Sequence, residues 1–189
     1  MSTMAPIDPK RGESTVLRDG RTVLIRPSTV EDAAALLDNI QPIIDEHVYL
    51  MLDRLPNDLA MERRWLSTFD GMRNVLFVAI DRDAIVGQVE CTGGEYSKIH
   101  HVGVIGIAVR EGWREVGLGR ALMERILEWM RARKFLKAEL SVFATNRRAI
   151  RLYESLGFDV EGVQRRRVRI QDKFDDEVRM GLWLGPEHP

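Results

Sequence analysis

The chain has 189 residues, with 28 Lys+Arg against 29 Asp+Glu and a formal net charge of −1 at pH 7. A length near that of one typical domain, with 44% hydrophobic and 30% charged residues, predicts a single globular unit and excludes global disorder. The lone Cys91 excludes a disulfide framework and every Cys-rich zinc module, and near-neutrality excludes a surface that is one continuous nucleic-acid footprint.

In chain order, residues 1–15 hold Pro6, Pro9 and Gly12 among polar residues, with no apolar run of the secretory kind. They are expected to be a flexible tail ahead of one domain at 16–189. The longest unbroken apolar run, Val75–Ile80, is far short of the roughly 20 residues of a membrane span, so a soluble cytoplasmic protein with no membrane partner is expected.

Arg21–Arg26 reads as a strand closed by Pro27. Ser28 and Glu31 stand at capping-box spacing, and a helix should follow from Thr29 into the low forties, burying Ala33, Leu36, Leu37 and Ile40 until Pro42 kinks or ends it. A short helix between Asn57 and Asp70 should turn Leu59, Trp65, Leu66 and Phe69 inward. The period then changes to that of strands at Val75–Ile80, Ala84–Glu95 and His100–Val109, whose short connections predict antiparallel pairing. In the last of these, alternation groups His101, Gly103, Ile105, Ile107 and Val109 on one face. A long helix at Gly117–Arg133 repeats Leu118, Leu122, Ile126 and Met130 at four-residue steps. A strand at Lys137–Phe143, a helix capped at Thr145 or Asn146 and stopped at Gly157, and a hairpin of Gly162–Ile170 with Phe174–Leu184 complete the chain. The fold class is α/β (α+β), a single mixed and largely antiparallel sheet flanked by helices.

The sharpest chemical signal is the turn Arg114-Glu-Val-Gly117-Leu-Gly119-Arg120 between a strand and a helix. The first turn of a helix leaves backbone N–H groups unpaired at the positive end of the macrodipole, which suits phosphate. Gly117 and Gly119 let a phosphate approach the backbone, and Arg114 and Arg120 add charge on either side. The spacing is not that of a P-loop, and the antiparallel strands before it do not form a dinucleotide-binding unit.

With that turn in view, Ile107 to Leu122 resembles the pyrophosphate-binding motif [RQ]-x-x-G-x-[GA] of the GNAT acyl-CoA-dependent N-acetyltransferases. Downstream, Asn146-Arg-Arg-Ala-Ile-Arg-Leu-Tyr153-Glu-Ser-Leu-Gly157-Phe158 is similar to the family's N-x-x-A-x-x-x-Y-x-x-x-G-F helix. The resemblance covers roughly Arg21 to Leu184. It implies acetyl-CoA as co-substrate, with the N–H groups of Val116, Gly117, Leu118, Gly119 and Arg120 on the pyrophosphate and Arg114 beside them. The main chain of Ile107, Ala108 and Val109 would pair with the pantetheine arm, and Asn146 would bond the cofactor where two strands part. An N-cap role would explain Asn146 equally well. Tyr153 matches the phenol that stabilises or protonates the leaving thiolate; a buried packing aromatic is its plainer reading.

A primary amine near pKa 10.4 arrives protonated, so a group must accept its proton. Some family members use a Glu on the strand before the glycine turn; counting back places that position at Gly103. His101, two residues earlier, and Glu90 on the neighbouring strand are the remaining candidates, although His101 reads more readily as a strand-edge histidine. Glu115 departs from the commoner Arg-Gly pair. Glu46, His47, Tyr49, Asp53 and Arg54 are candidate lining residues for the acceptor.

Arg165-Arg-Arg-Val-Arg169 lacks interleaved aromatics and reads as a solvated or interface strand, so no nucleic-acid partner is expected. The histidines show no metal-binding spacing, and no metal is expected. The expected activity is transfer of an acetyl group to a primary amine, on a small molecule such as an amino acid or polyamine. A protein N-terminal acetyltransferase and a non-catalytic acyl-CoA-binding module are the alternatives, and a homodimer through the terminal hairpin is a family-level expectation. The near-zero charge averages two unlike halves: Glu31–Glu62 sums to −7 and Arg110–Arg179 to +5. The basic half suits a polyanionic cofactor and the acidic half a cationic amine.

Overall fold

Eight strands join in one sheet, one more than the seven read from periodicity, because Glu13–Val16 pairs with Thr22–Ile25. In the computed structural model, residues 12–52, 54–55 and 58–186 are described. The elements are β1 (Glu13–Val16), β2 (Thr22–Pro27), a 3-10 turn at Val30–Asp32, α1 (Ala33–Asp45), α2 (Leu59–Leu66), β3 (Asn74–Asp81), β4 (Ala84–Gly93) and β5 (Val102–Val109). They continue with α3 (Leu118–Ala132), β6 (Lys137–Phe143), α4 (Arg147–Ser155), β7 (Asp159–Ile170) and β8 (Lys173–Trp183). The strand order is β1-β2-β3-β4-β5-β6-β8-β7, with every pair antiparallel except β5–β6. Among the described residues no helix is long and apolar enough to cross a membrane.

The two-residue period of β3 and β4 divides the core into two layers. Val75, Phe77 and Ala79 join Leu118, Leu122, Ile126 and Met130 beneath α3. Leu76 and Val78 join Ala33, Leu36 and Leu66 beneath α1 and α2. Gln88 and Glu90 sit directly across from Val78 and Leu76, so their side chains belong to the α1/α2 face.

Several expectations need correction. Glu13–Thr15 pair with Ile25, Leu24 and Val23 in the sheet, so the domain begins within the expected tail; residues 1–11 lie outside the described residues. The cap ahead of α1 is one residue further on than Ser28 and Glu31. Thr29 N–H donates to Asp32 Oδ2 at 2.8 Å, because Arg26 already fixes that carboxylate through two 2.7 Å bonds. Pro42 stands on the exposed side of α1 and the helix runs past it to Asp45. The fully buried stripe of α1 is Ala33, Leu36, Asn39, Ile43 and Ile44, so a polar residue replaces the expected Leu37 and Ile40. In α2 only Leu66 is fully buried; Leu59 and Trp65 face solvent, and Glu62 is half-buried one turn before Leu66.

β5 starts at Val102, which leaves His101 in the preceding turn, where its carbonyl accepts the N–H groups of Leu136 and Lys137. A Cβ on Gly103 would lie 2.6 Å from both Cys91 Sγ and Met130 Cε, within the α3 layer. A carboxylate at Gly103 would therefore enter the core. Gly103→Ala is expected to cost about 1–3 kcal/mol of overpacking, and adding Cys91→Ala should return part of it. Urea midpoints of the two variants check this.

Candidate active site

The parallel pair is where the sheet opens. β5 and β6 pair only at Val102–Lys137, Gly103–Ala138 and Val104–Glu139, although the strands continue to Val109 and Phe143. Beyond Val104, β5 keeps β4 on one side and β6 keeps β8, and the edge from Ile105 to Val109 faces a widening gap. A cavity of about 450 Å³ occupies that gap.

Its walls bring together Ile107, Ala108, Val109, Arg114, Gly117, Gly119, Arg120, Asn146 and Tyr153, residues from β5, the glycine turn and α4. Leu118 is fully buried and could contribute only its main chain. Val116 is tied by its carbonyl to the Arg18 N–H at 2.9 Å, which pins the β1–β2 connection to the turn. His101 and Glu90 do not line the cavity.

The glycine turn has two different reasons for its glycines. Gly117 caps α3 with φ of 98°, a left-handed conformation that costs a side chain energy. Gly119 has an ordinary φ, but a Cβ there would meet Leu152 Cδ2 at 3.3 Å, so its role is close packing of α4 on α3. The first intrahelical bond runs from Ala121 N–H to Gly117 O at 3.1 Å. The N–H groups of Leu118, Gly119 and Arg120 precede it and have no intrahelical acceptor. Glu115 holds φ of 63°, which explains why glycine suits this position elsewhere, and its exposed side chain borders the cavity.

Arg114 does not offer a free charge. Its Nε donates to Val109 O at 2.8 Å, and its two terminal nitrogens grip Glu46 at 2.6 and 2.5 Å. The guanidinium also lies 4.7 Å from the Tyr49 ring centre. This fork clamps the segment after α1 onto the end of β5. Among the described residues, the cavity-lining arginines without a carboxylate partner are Arg18, Arg148, which lies 5.8 Å from the Tyr49 ring centre, and Arg151, none of which the motif spacing singled out. Arg148 and Arg151 lie within the motif helix at positions its pattern leaves open, and Arg18 reaches the turn only through the fold. Arg120 is held by Ser155 Oγ at 2.6 Å and Glu124 at 3.3 Å.

Asn146 is an N-cap: its Oδ1 accepts the Ala149 N–H at 3.2 Å, which leaves the amide nitrogen to donate. Tyr153 is buried beside Phe158, and burial pushes its phenol up to about 12. Of the acceptor-lining candidates, Tyr49 reaches the cavity with Leu50 and Ile43, Glu46 is committed to Arg114, and His47 and Arg54 are exposed. Asp53 lies outside the described residues.

Glu90 sits directly across from Gly106 on β5, one residue before cavity-lining Ile107. A Cβ on Gly106 would be 2.9 Å from Glu90 Oε1, so the carboxylate rests against bare β5 backbone. Burial first, and the charge of Glu62 second, push Glu90 up to about 7. Among the described residues no side chain pairs with it. Cys91, its neighbour on the opposite face, is fully buried and pushed up to about 12 by burial, so it is an unreactive thiol.

This arrangement has close parallels among known proteins. The model of the acetyltransferase (GNAT) family matches residues 45–158. Over 129 residues the chain is 31% identical to the L-amino acid N-acetyltransferase AaaT of Escherichia coli K12, covering 66% of this chain and 76% of that one. Over 76 residues it is 38% identical to the ribosomal protein bS18 alanine N-acetyltransferase of the same organism, covering 40% of this chain and 51% of that one. A GNAT-family acetyltransferase from Streptococcus pneumoniae superposes with a TM-score of 0.82 at 28% identity, covering 86% of this chain and 99% of that one. The chain belongs to the acetyltransferase (GNAT) family.

Proposed function

We propose that this chain transfers an acetyl group from acetyl-CoA directly to the primary amine of a small molecule, an amino acid, polyamine or similar compound. The observation that carries the reading is the parted β5–β6 pair, whose open edge leads to the unpaired N–H groups of the glycine turn. The residues present fit the cofactor. The Leu118, Gly119 and Arg120 N–H groups would hold the pyrophosphate, with Arg18, Arg148 and Arg151 around it. The β5 edge at Ile107–Val109 would hold the extended arm, and Asn146 would donate from its amide nitrogen. Acetyl-CoA would supply a thioester carbonyl open to attack by an amine.

Tyr153 and Glu90 would divide the proton work. A phenol raised to about 12 stays protonated at any working pH. It would act on the departing sulfur as a hydrogen-bond donor and not hand over its proton outright, because a thiol near 8.5 is the stronger acid. Glu90, raised to about 7, would accept the proton of the incoming ammonium near neutral pH. Its place against the β5 backbone, one residue before cavity-lining Ile107, favours it over His101, which lies in the turn before the strand.

A second reading, acetylation of a protein N-terminus, has the similarity to the bS18 enzyme in its favour. Thiol release from acetyl-CoA with a panel of small amines, amino acids and short peptides separates the two. Release above the hydrolysis blank with small amines is expected; release with peptides alone would overturn the small-molecule assignment. Tyr153→Phe should lower kcat by about 10²-fold while CoA binding holds.

Glu90→Gln should lower kcat/KM by about 10²-fold and remove the inflection near pH 7 from its pH profile. It should also change stability in a known direction. A carboxyl whose folded pKa is raised stabilises the fold while protonated, and that contribution is lost as pH rises from the unfolded value through about 7. The variant should therefore gain on the native chain between pH 4 and pH 8, by on the order of 3 kcal/mol. Unfolding curves at the two pH values read this directly.

A further inference from the structure

The segment after α1 is tied to the rest of the chain by few polar contacts, and those few sit at the cavity. α1 ends at Asp45, and the His47 N–H donates back to Ile44 O at 2.8 Å. Among the described residues, Val48–Leu52 make no hydrogen bond, and Val48, Met51 and Leu52 are exposed. His47 holds φ of 51°, a left-handed conformation unfavourable for a residue with a Cβ. One residue earlier, the Glu46 carboxylate accepts both terminal nitrogens of Arg114, at 2.6 and 2.5 Å. Arg114 is itself fixed, because its Nε donates to Val109 O at the end of β5.

Tyr49, three residues beyond Glu46, is approached by two guanidinium groups. Arg114 lies 4.7 Å from its ring centre and Arg148 5.8 Å. The two arginines belong to opposite banks of the parted strands. Arg114 follows β5, whereas Arg148 lies in the first turn of α4, which follows β6. A ring held by a cation from each bank spans the gap between them. Tyr49 and Leu50 line the same cavity as Ile107, Ala108 and Val109, the open edge of β5. Glu46 does not line that cavity and acts on it only through Arg114.

We propose that Glu46 is a positioning residue: by gripping Arg114 it seats Tyr49 as a crossbar over the parted strands, and this bar lifts for a CoA thioester to enter and for CoA to leave. The inference rests on the acetyl-CoA reading above and adds to it the motion that paces exchange of the cofactor. An arm lying along Ile107–Val109 would pass beneath the Tyr49 ring. The left-handed His47 stands between the fork and the ring, where a hinge is needed. The fork keeps partial access to water, with its two side chains 13% and 24% exposed, so it can part and re-form.

Stopped-flow binding of CoA to the full chain tests this with Glu46→Gln and Tyr49→Ala. A loosened bar speeds passage in both directions. Association and dissociation rate constants should both rise about tenfold in each variant, the equivalent of one charge-assisted hydrogen bond. Kd should stay within about threefold of the native value. Tyr49→Phe keeps the ring face and should behave as the native chain. The double variant should be no faster than the faster single one, because both changes release the same bar. Amide hydrogen exchange gives a readout free of cofactor: Val48–Leu52 should exchange faster in Glu46→Gln, with α3 and the unfolding midpoint unchanged. Unaltered binding rates, faster dissociation alone with a matching loss of affinity, or exchange indifferent to Glu46→Gln overturns the crossbar. A native chain that binds no CoA, yet whose exchange at Val48–Leu52 depends on Glu46, upholds the fastening of the bar and overturns the cofactor reading.

Discussion

Two strands that run parallel and then stop pairing set the terms for the whole molecule. Backbone N–H and C=O groups that leave a ladder must find other partners. β6 solves this with β8, which stays in register along its full length, and β5 with β4. The facing edges beyond Val104 and Glu139 are left for something else. The elements around the gap follow from that opening. α3 begins at its mouth with unpaired donors, α4 covers its far wall with Tyr153, and the segment after α1 closes it with Tyr49 and Leu50. The Arg114 fork fixes the end of β5, bonding Val109 O at the point where the strand turns away.

Charge is distributed across this opening in a consistent way. Arg114 and Glu46 neutralise one another at the boundary between the two sides. Beyond them, arginines gather at the glycine turn and α4, and unmatched acids gather beneath α1 and α2. The proposed reaction needs that division, because it brings a polyanionic cofactor and a cationic acceptor to one carbonyl. A single basic or acidic cleft would attract one and repel the other.

Much of this was legible from residues alone, for physical reasons that can be named. Strands β3 to β5 declare themselves through period and β-branched content, and α3 through its four-residue repeat. The glycine turn and the Asn146–Phe158 helix carry fixed spacings, so the residues they pick out meet in one cavity. What stayed hidden depends on contacts distant in sequence. Arg18 reaches the turn only because β1 and β2 form a hairpin against it. Arg114 reads as a ligand for phosphate until Glu46, 68 residues away, takes its charge. The inward aspect of Glu62 is invisible because a carboxylate on a short helix reads as solvent-facing. Strand parity also misled: counting from the glycines put the carboxylate position at Gly103, whose side chain direction leads into Cys91 and Met130.

The contact between Gly119 and Leu152 has a further consequence. Leu152 precedes Tyr153 on α4, and Gly119 supplies one of the free N–H groups of α3. A Cβ at 119 would stand 3.3 Å from Leu152 Cδ2, and Arg120 donates to Ser155 Oγ at 2.6 Å, so α4 rests against the first turn of α3. On the proposed roles, that contact would set the separation between the donors that hold the pyrophosphate and the phenol, like the jaws of a calliper. A molecule that engages both must match that span along its own length. On the proposed roles, such a cleft would sort carriers by reach, before any chemical group on them is recognised.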